Sequence, residues 1–481
     1  MNDLRILIAR LGWPSTSTRW WTMQELAARL GEPASMQATE SLLFDLLRSR
    51  KLEAEVVEVL CIFWMAINEF NYSPSKVLSE NIPLPSLLSD LLMARGAQSN
   101  PVNHHDLDVA PENFIIPDDF EGIQGVDLPR IYRTTLTRLE SYSDLPFIKQ
   151  MAFEWAKNRE SYPDAPYQGD TGYFLRPQGE GFMPHFSTRS ALRAISAYLR
   201  TLTVARHIWK MPEELANQKA LLALPVHPTL AFLRPKCPEW LPASTEFNGD
   251  SKAFEASLRA LLVRAETATP GGRLIALSSP VLMSIERCIE VSIMQWAQIA
   301  RRDAEYDDPI PHIESCWANG TMLSSQADEL LSSTTMINPP PFEEVINTDC
   351  QAWPLAGTLD FERIGYLQHE LYPSRLFLPT LAGSAHKIEI SPREGWLEAR
   401  VKDKTLAELH YWNAGWGSVQ PRQFGGNCGT ALISRGNEYR ESCPEGNPTL
   451  RFFYAWQVRT LYRKGSHEGF SETLERGIIF D

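Results

Sequence analysis

Apolar residues recur at three- and four-residue steps through the first ~95 residues. Beyond about Gln351 they fall instead into short β-branched and aromatic runs spaced roughly ten residues apart. The first pattern lays a stripe along a helix and the second suits strands, so the two ends of this chain cannot be built from one kind of layer.

In the first part, Ser15 to Thr18 offer caps ahead of Trp20, Met23, Leu26, Ala27 and Leu30, and Gly31 stands where a left-handed cap closes a helix. Ser35 opens a second helix with Leu42, Leu43, Leu46 and Leu47 on one stripe. A third runs from about Leu52 to Phe70 with Val56, Val59, Leu60, Phe63, Trp64 and Ile67, and Leu84, Leu88, Leu91 and Leu92 mark a shorter fourth. Short turns join them, which predicts antiparallel neighbours in a bundle or a stack of hairpins over 1–97. No fixed-period repeat is present.

A Pro-, Asn- and Asp-rich segment at 98–126 reads as a linker. A mostly helical middle domain is expected over 127–350, with helices near 128–139, 147–155, 251–266 and 280–302. Its longest helix starts at Ser187 or Thr188 and ends near Trp209, turning Leu192, Ile195, Leu199, Leu202 and Ile208 inward. In the last part, "SRLFLP", "HKIEIS", "GWLEARV", "LAELHYW", "GTALIS" and "RFFYAWQV" alternate with Gly-, Asn- and Pro-containing turns, the pattern of strands in an antiparallel sheet. The expected fold is therefore mainly α, with a C-terminal β-rich α+β module over 351–481 built on a small, mostly antiparallel sheet.

At 481 residues, 43% hydrophobic and 22% charged, the chain can bury more than one core. Its formal net charge of −13 argues against bulk attraction to nucleic acid or anionic lipid. No segment approaches the ~20 apolar residues of a membrane span, and the first residues lack the apolar region of a signal peptide. Seven cysteines are scattered without a CxxC pair. These features predict a cytoplasmic protein that binds no membrane.

The stretch "YWNAGWGSVQPRQFGGNCGTALIS" gathers Tyr411, Trp412, Trp416, Arg422 and Phe424 around glycines and places Cys428 between Asn427 and Gly429. A cysteine nucleophile with His386, His410 or His467 as base is one reading. However, the nucleophile elbow needs a second glycine where Thr430 stands. The favoured reading is an aromatic recognition loop whose Tyr411, Trp412, Trp416, Arg422 and Phe424 contact a partner. In "NHHDLD", His104, His105, Asp106 and Asp108 are too close in sequence to converge on one metal, so no metal site is expected. P-loop, dinucleotide, zincin and kinase motifs are absent, and no cofactor is expected.

Arg200 and His207, in "RTLTVARH", resemble the R-x4-6-H signature of HEPN ribonucleases, which implies cleavage at a dimer interface. The wider segment "RSALRAISAYLRTLTVARHIWKMP", with "LALPVHPTL" and "CPEWLP", is similar to large proteins encoded beside bacterial antiphage defence genes. That resemblance implies a subunit of such a system and carries no site residues. The expected function is accordingly a non-catalytic scaffold, sensor or adaptor with a protein partner encoded nearby. The alternatives are a nuclease or cysteine hydrolase with a dispersed site, and a nucleic-acid-binding subunit using Arg451, Arg459, Arg463 and Lys464.

Overall fold

The computed structural model describes residues 2–13, 15–95, 104, 107–118, 120, 130–159, 189–234, 236–241, 251–283, 286–301, 305–319, 323–327, 333–339, 351–361, 365–368, 372, 375–380, 386–393, 395–413, 428–436, 450–463 and 470–480. They divide into two compact units: residues 1–231 with 363–370, and residues 232–362 with 371–481.

The first unit is helical. In chain order its helices are α1 (Asn2–Arg10), α2 (Thr16–Gly31), α3 (Met36–Arg48), α4 (Glu53–Phe70), α5 (Leu87–Arg95), α6 (Arg130–Ser143), α7 (Phe147–Arg159), α8 (Arg189–His207) and α9 (Glu213–Ala220). Helix α4 is apolar on nearly every side from Ala54 to Ala66 and is buried over that span except at Glu55 and Glu58, because α2, α3, α5 and α8 all pack on it. Ser15 caps α2 as expected, accepting from the Thr18 amide. Gly31 ends the helix without entering the left-handed region. Its role is closeness, since a Cβ there would stand 2.6 Å from Cβ of Phe70 on α4. Leu192, Ile195, Leu199 and Leu202 face the core of the unit, whereas Ile208 is exposed, contrary to the expected stripe. Within the expected linker, residues 107–118 include a segment held by α7. Gln150 accepts from the Ala110 amide and donates to the Asp108 carbonyl at 2.8 Å each.

A short piece from late in the sequence completes this unit. Tyr366 and Leu367 donate their amides to the carbonyls of Leu224 and Pro225, and the Gln368 side chain accepts from the His227 amide. Gly365 makes the approach feasible, because a Cβ would lie 2.4 Å from Cα of Val226. Tyr366 then donates to Glu58 at 2.7 Å, and Glu58 also pairs with the buried Arg19.

The second unit is organised by a ten-stranded antiparallel sheet. Its strands are β1 (Gly272–Met283), β2 (Arg287–Ile299), β4 (Thr335–Ile337), β5 (Ala352–Pro354), β8 (Ile388–Pro392), β9 (Leu397–Val401), β10 (Lys404–Asn413), β11 (Cys428–Arg435), β12 (Leu450–Arg463) and β13 (Phe470–Phe480). The spatial order is β13-β12-β2-β1-β11-β10-β9-β8-β4, and β5 pairs with the end of β2. A second sheet, in the order β3-β6-β7, contains β3 (Ser324–Gln326), β6 (Ala356–Asp360) and β7 (Arg375–Pro379). Helices α10 (Ser251–Ala268) and α11 (Ile310–Asn319) belong to the same unit.

All six strand-like runs read from the sequence are strands. "Mainly α" and "small sheet" are nevertheless corrected, because the sheet has ten strands and begins well before residue 351. The segment expected as a helix at 280–302 contains the end of β1 and all of β2. Leu258, Leu261 and Ala265 of α10 cover one sheet face, meeting Leu277, Ile289, Val291, Ile293, Trp412 and Trp456 in a common core. The small sheet packs against β10 and β11 through β7. The same packing answers for two strand glycines. Gly429 lies opposite Trp412 and Gly477 opposite Trp456, and a Cβ at either would stand 2.3 or 2.5 Å from the tryptophan ring.

Candidate functional site

The aromatic stretch is split by the fold. Tyr411 and Trp412 occupy adjacent positions on β10, so they point to opposite faces of the sheet, and both faces are covered there. Tyr411 meets Tyr372 with ring centroids 4.9 Å apart, and Trp412 meets Trp240 edge-on at 6.5 Å. Both are buried, at 0% and 1% exposure, so neither can be the contact residue expected from the sequence. Trp416, Arg422 and Phe424 lie outside the described residues.

Of Cys428 only the backbone is described. It opens β11 opposite Asn413, and His410 lies three positions away in register, opposite Ala431. His410 is held elsewhere. Its Nε2 is 3.0 Å from Glu408 Oε2, and its ring stacks on Trp396 at 5.7 Å. Burial alone would raise the Glu408 carboxyl, but hydrogen bonds from His410 and Arg435 outweigh it and hold the group below the usual carboxylate range.

On α8, Arg200 and His207 take separate partners. Arg200 Nε donates to Glu154 Oε2 at 3.1 Å, and its Nη1 lies 3.7 Å from Glu53 Oε1. His207, two turns further on, packs its ring at 4.8 Å against His104, whose Nε2 is 2.7 Å from Asp90. Asp108 pairs instead with Lys157 at 2.6 Å, while His105 and Asp106 lie outside the described residues. Among the described residues no group of three or more His, Cys, Asp or Glu is arranged to hold a metal.

Two carboxyls with altered acidity were not singled out by any sequence motif. Burial pushes Glu53 up to about 7; Arg200 opposes this and Glu154 adds to it. On the large sheet, burial pushes Glu290 up to about 8. The geometry explains why the adjacent Arg459 does not prevent this. Arg459 donates from Nη2 to Glu472 Oε2 at 3.0 Å and sets its Nε 2.8 Å from Oε1 of the same carboxylate, whereas it reaches Glu290 only at 3.9 Å. Cys288, two residues before Glu290, is pushed up to about 12 by burial and by that carboxyl, so its thiol stays protonated at neutral pH. A carboxyl that remains protonated near neutrality can donate a proton or a hydrogen bond, the chemistry a general acid needs. Only a strand reading of "RCIEVS" would have placed Glu290 beside Arg459.

The expected basic face does not form from these arginines. Arg459 is neutralised as described, and Arg451 donates to Gln298 while stacking on Tyr306 and Phe480 at 4.0 and 4.9 Å. Lys464 lies outside the described residues.

Exposed apolar side chains occur in both units, Ile115 and Tyr142 the most exposed, and three of them lie on or beside the N-terminal helices. Ile6 of α1, Trp13 in the following turn and Trp21 of α2 are 58%, 56% and 39% exposed, while the neighbouring Trp20 is fully buried. No helix is long and apolar enough to cross a membrane among the described residues. No protein-family model matches the chain, and a search of curated proteins finds no match.

Proposed function

We propose that this chain is a scaffold, sensor or adaptor subunit of a bacterial multi-protein system, acting in the cytoplasm and without catalysis of its own, and that its N-terminal helices bind the partner. Antiphage defence is the setting that the resemblance of the α8 segment implies. The observation that carries the reading is the exposure of Ile6, Trp13 and Trp21 on one helical hairpin. Tryptophan is enriched among the residues that dominate protein interfaces, because a large rigid ring gains contact area at small entropic cost. Single exposed apolar residues are ordinary, but two tryptophans eight positions apart around one turn are a stronger signal.

The test is retention of a protein encoded nearby by the tagged full chain. Trp13→Ala/Trp21→Ala is expected to abolish retention while melting is unchanged, since both rings are substantially exposed. Retention by the variant equal to that of the parent chain refutes the assignment.

A second reading, an enzyme with a dispersed site, is supported by the half-buried Glu290 beside Arg459, whose carboxyl is pushed up to about 8. Its test is Glu290→Gln in an assay of the system's biological activity. Loss of activity with melting unchanged favours that reading, and full activity sets it aside.

A further inference from the structure

The large sheet ends in two unlike edges. At one end β4 has three residues, a short edge of the kind that limits unwanted pairing. At the other, β13 has eleven, and among the described residues no strand lies beyond it. Its sequence, "FSETLERGIIF", contains neither proline nor lysine, the residues that most often blunt an edge. Leu474, midway along it, is 38% exposed.

Alternate positions on β13 read Glu472, Leu474, Arg476 on one face. That assignment follows from their contacts: Glu472 with Arg459, and Arg476 with Gln457 at 3.0 Å and with Glu314 of α11 at 3.6 Å. The order acid, leucine, base is self-complementary about its centre. If a second copy of β13 runs antiparallel beside the first, with the two-fold axis through Leu474, each Glu472 lies opposite the partner's Arg476 and the leucines meet each other. Directly opposed side chains in such a pair are about 4.5–5.5 Å apart between Cβ atoms, close enough for charge pairing. A perpendicular two-fold axis must pass through a residue, because opposed residues share a face. An axis through Glu472 sets two carboxylates together, and one through Arg476 sets two guanidiniums together. With the axis through Thr473 or Glu475, a charge faces an aliphatic side chain. Of these registers, the one through Leu474 alone sets opposite charges across the axis and leucine against leucine.

We propose that two copies of this chain pair through β13 in that register, joining their ten-stranded sheets into one antiparallel sheet. An isologous contact of this kind closes on itself and does not propagate into fibres. The proposal concerns an element distinct in sequence from the N-terminal helices and stands whether or not those helices bind a partner.

Analytical ultracentrifugation of the full chain at micromolar concentration is expected to give twice the 54.5 kDa chain mass. Leu474→Lys and Arg476→Glu, each still folded by circular dichroism, are expected to halve it. The double variant Glu472→Arg/Arg476→Glu, which restores opposite charges across the axis, is expected to return the mass to the doubled value. A parent chain that stays monomeric, or a dimer indifferent to Leu474→Lys, overturns the proposal. If the variants do not fold, hydrogen exchange of the unmodified chain decides. Protection of amides in 470–480 is expected to increase as protein concentration rises through the dimerisation range, and protection independent of concentration overturns the pairing.

Discussion

Gly477 is the most specific packing demand in the second unit. An alanine Cβ there would stand 2.5 Å from Cζ2 of Trp456, with Cε2 and Nε1 of the same ring at 2.7 and 2.8 Å. The ring is 2% exposed and shares its core with Ile293, Val458, Ile479 and α10, so it has no free space to retreat into. Overpacking of this kind costs roughly 1–3 kcal/mol. Trp456→Ala removes the ring and costs roughly 3–5 kcal/mol. If the two effects were independent, the double variant would lose their sum, about 4–8 kcal/mol. The geometry predicts otherwise. Once the ring is gone the alanine meets none of its three nearest atoms, and alanine in a strand interior is about 0.5–1 kcal/mol better than glycine. The double variant should therefore be no less stable than Trp456→Ala alone, a coupling at least as large as the overpacking cost of ~1–3 kcal/mol. Urea unfolding followed by far-ultraviolet circular dichroism measures all four corners of the cycle. Additivity within ~0.5 kcal/mol would show that the ring does not dictate the glycine and refute the reasoning.

Trp412→Ala should cost ~3–5 kcal/mol in the same assay, because the ring is core; a cost under ~0.5 kcal/mol would restore it to the surface. Arg200→Ala leaves Glu53 and Glu154 buried without their shared cation and should cost ~3–5 kcal/mol by thermal denaturation; a loss under ~1 kcal/mol contradicts the ion-pair account. Glu290 titrates at about 8 in the fold against 4.5 ordinarily, so between those values the unfolded chain has released a proton that the folded chain retains. Its stabilising contribution is complete below 4.5 and declines as pH rises to about 8, by at most about 1.4 kcal/mol per pH unit. Glu290→Gln should remove that slope and make the chain more stable than its parent near pH 8; identical melting profiles of the two from pH 5 to 9 would contradict it.

The strands legible in the sequence are those whose runs are short and punctuated by turn residues, as in "HKIEIS" and "GWLEARV". Strand β2 has the sequence pattern of a helix for a physical reason. Both faces are buried from Ile293 to Ile299, so the run is nearly continuous in apolar residues and loses the alternation that marks Ile289, Val291 and Ile293. The placement of Gly365–Gln368 in the helical unit was not legible at all, since it depends on partners such as Glu58, 308 positions from Tyr366. Gly31 marked the end of α2 correctly, but its cause, the approach of Phe70, is tertiary. Adjacent aromatics at Tyr411 and Trp412 look the same in sequence whether a loop exposes them or a doubly covered strand buries them. Arg200 and His207 were visible as a pattern, but their partners, Glu154 and His104, were not.

The central claim concerns the N-terminal helices, and the most direct measurement compares two purifications from the native host with neighbouring genes intact. One uses the parent chain and the other Trp13→Ala/Trp21→Ala, with identical melting established beforehand. The account predicts that a nearby-encoded protein co-purifies stoichiometrically with the parent chain and is absent from the variant. Equal recovery from both, or no protein partner with either, contradicts it.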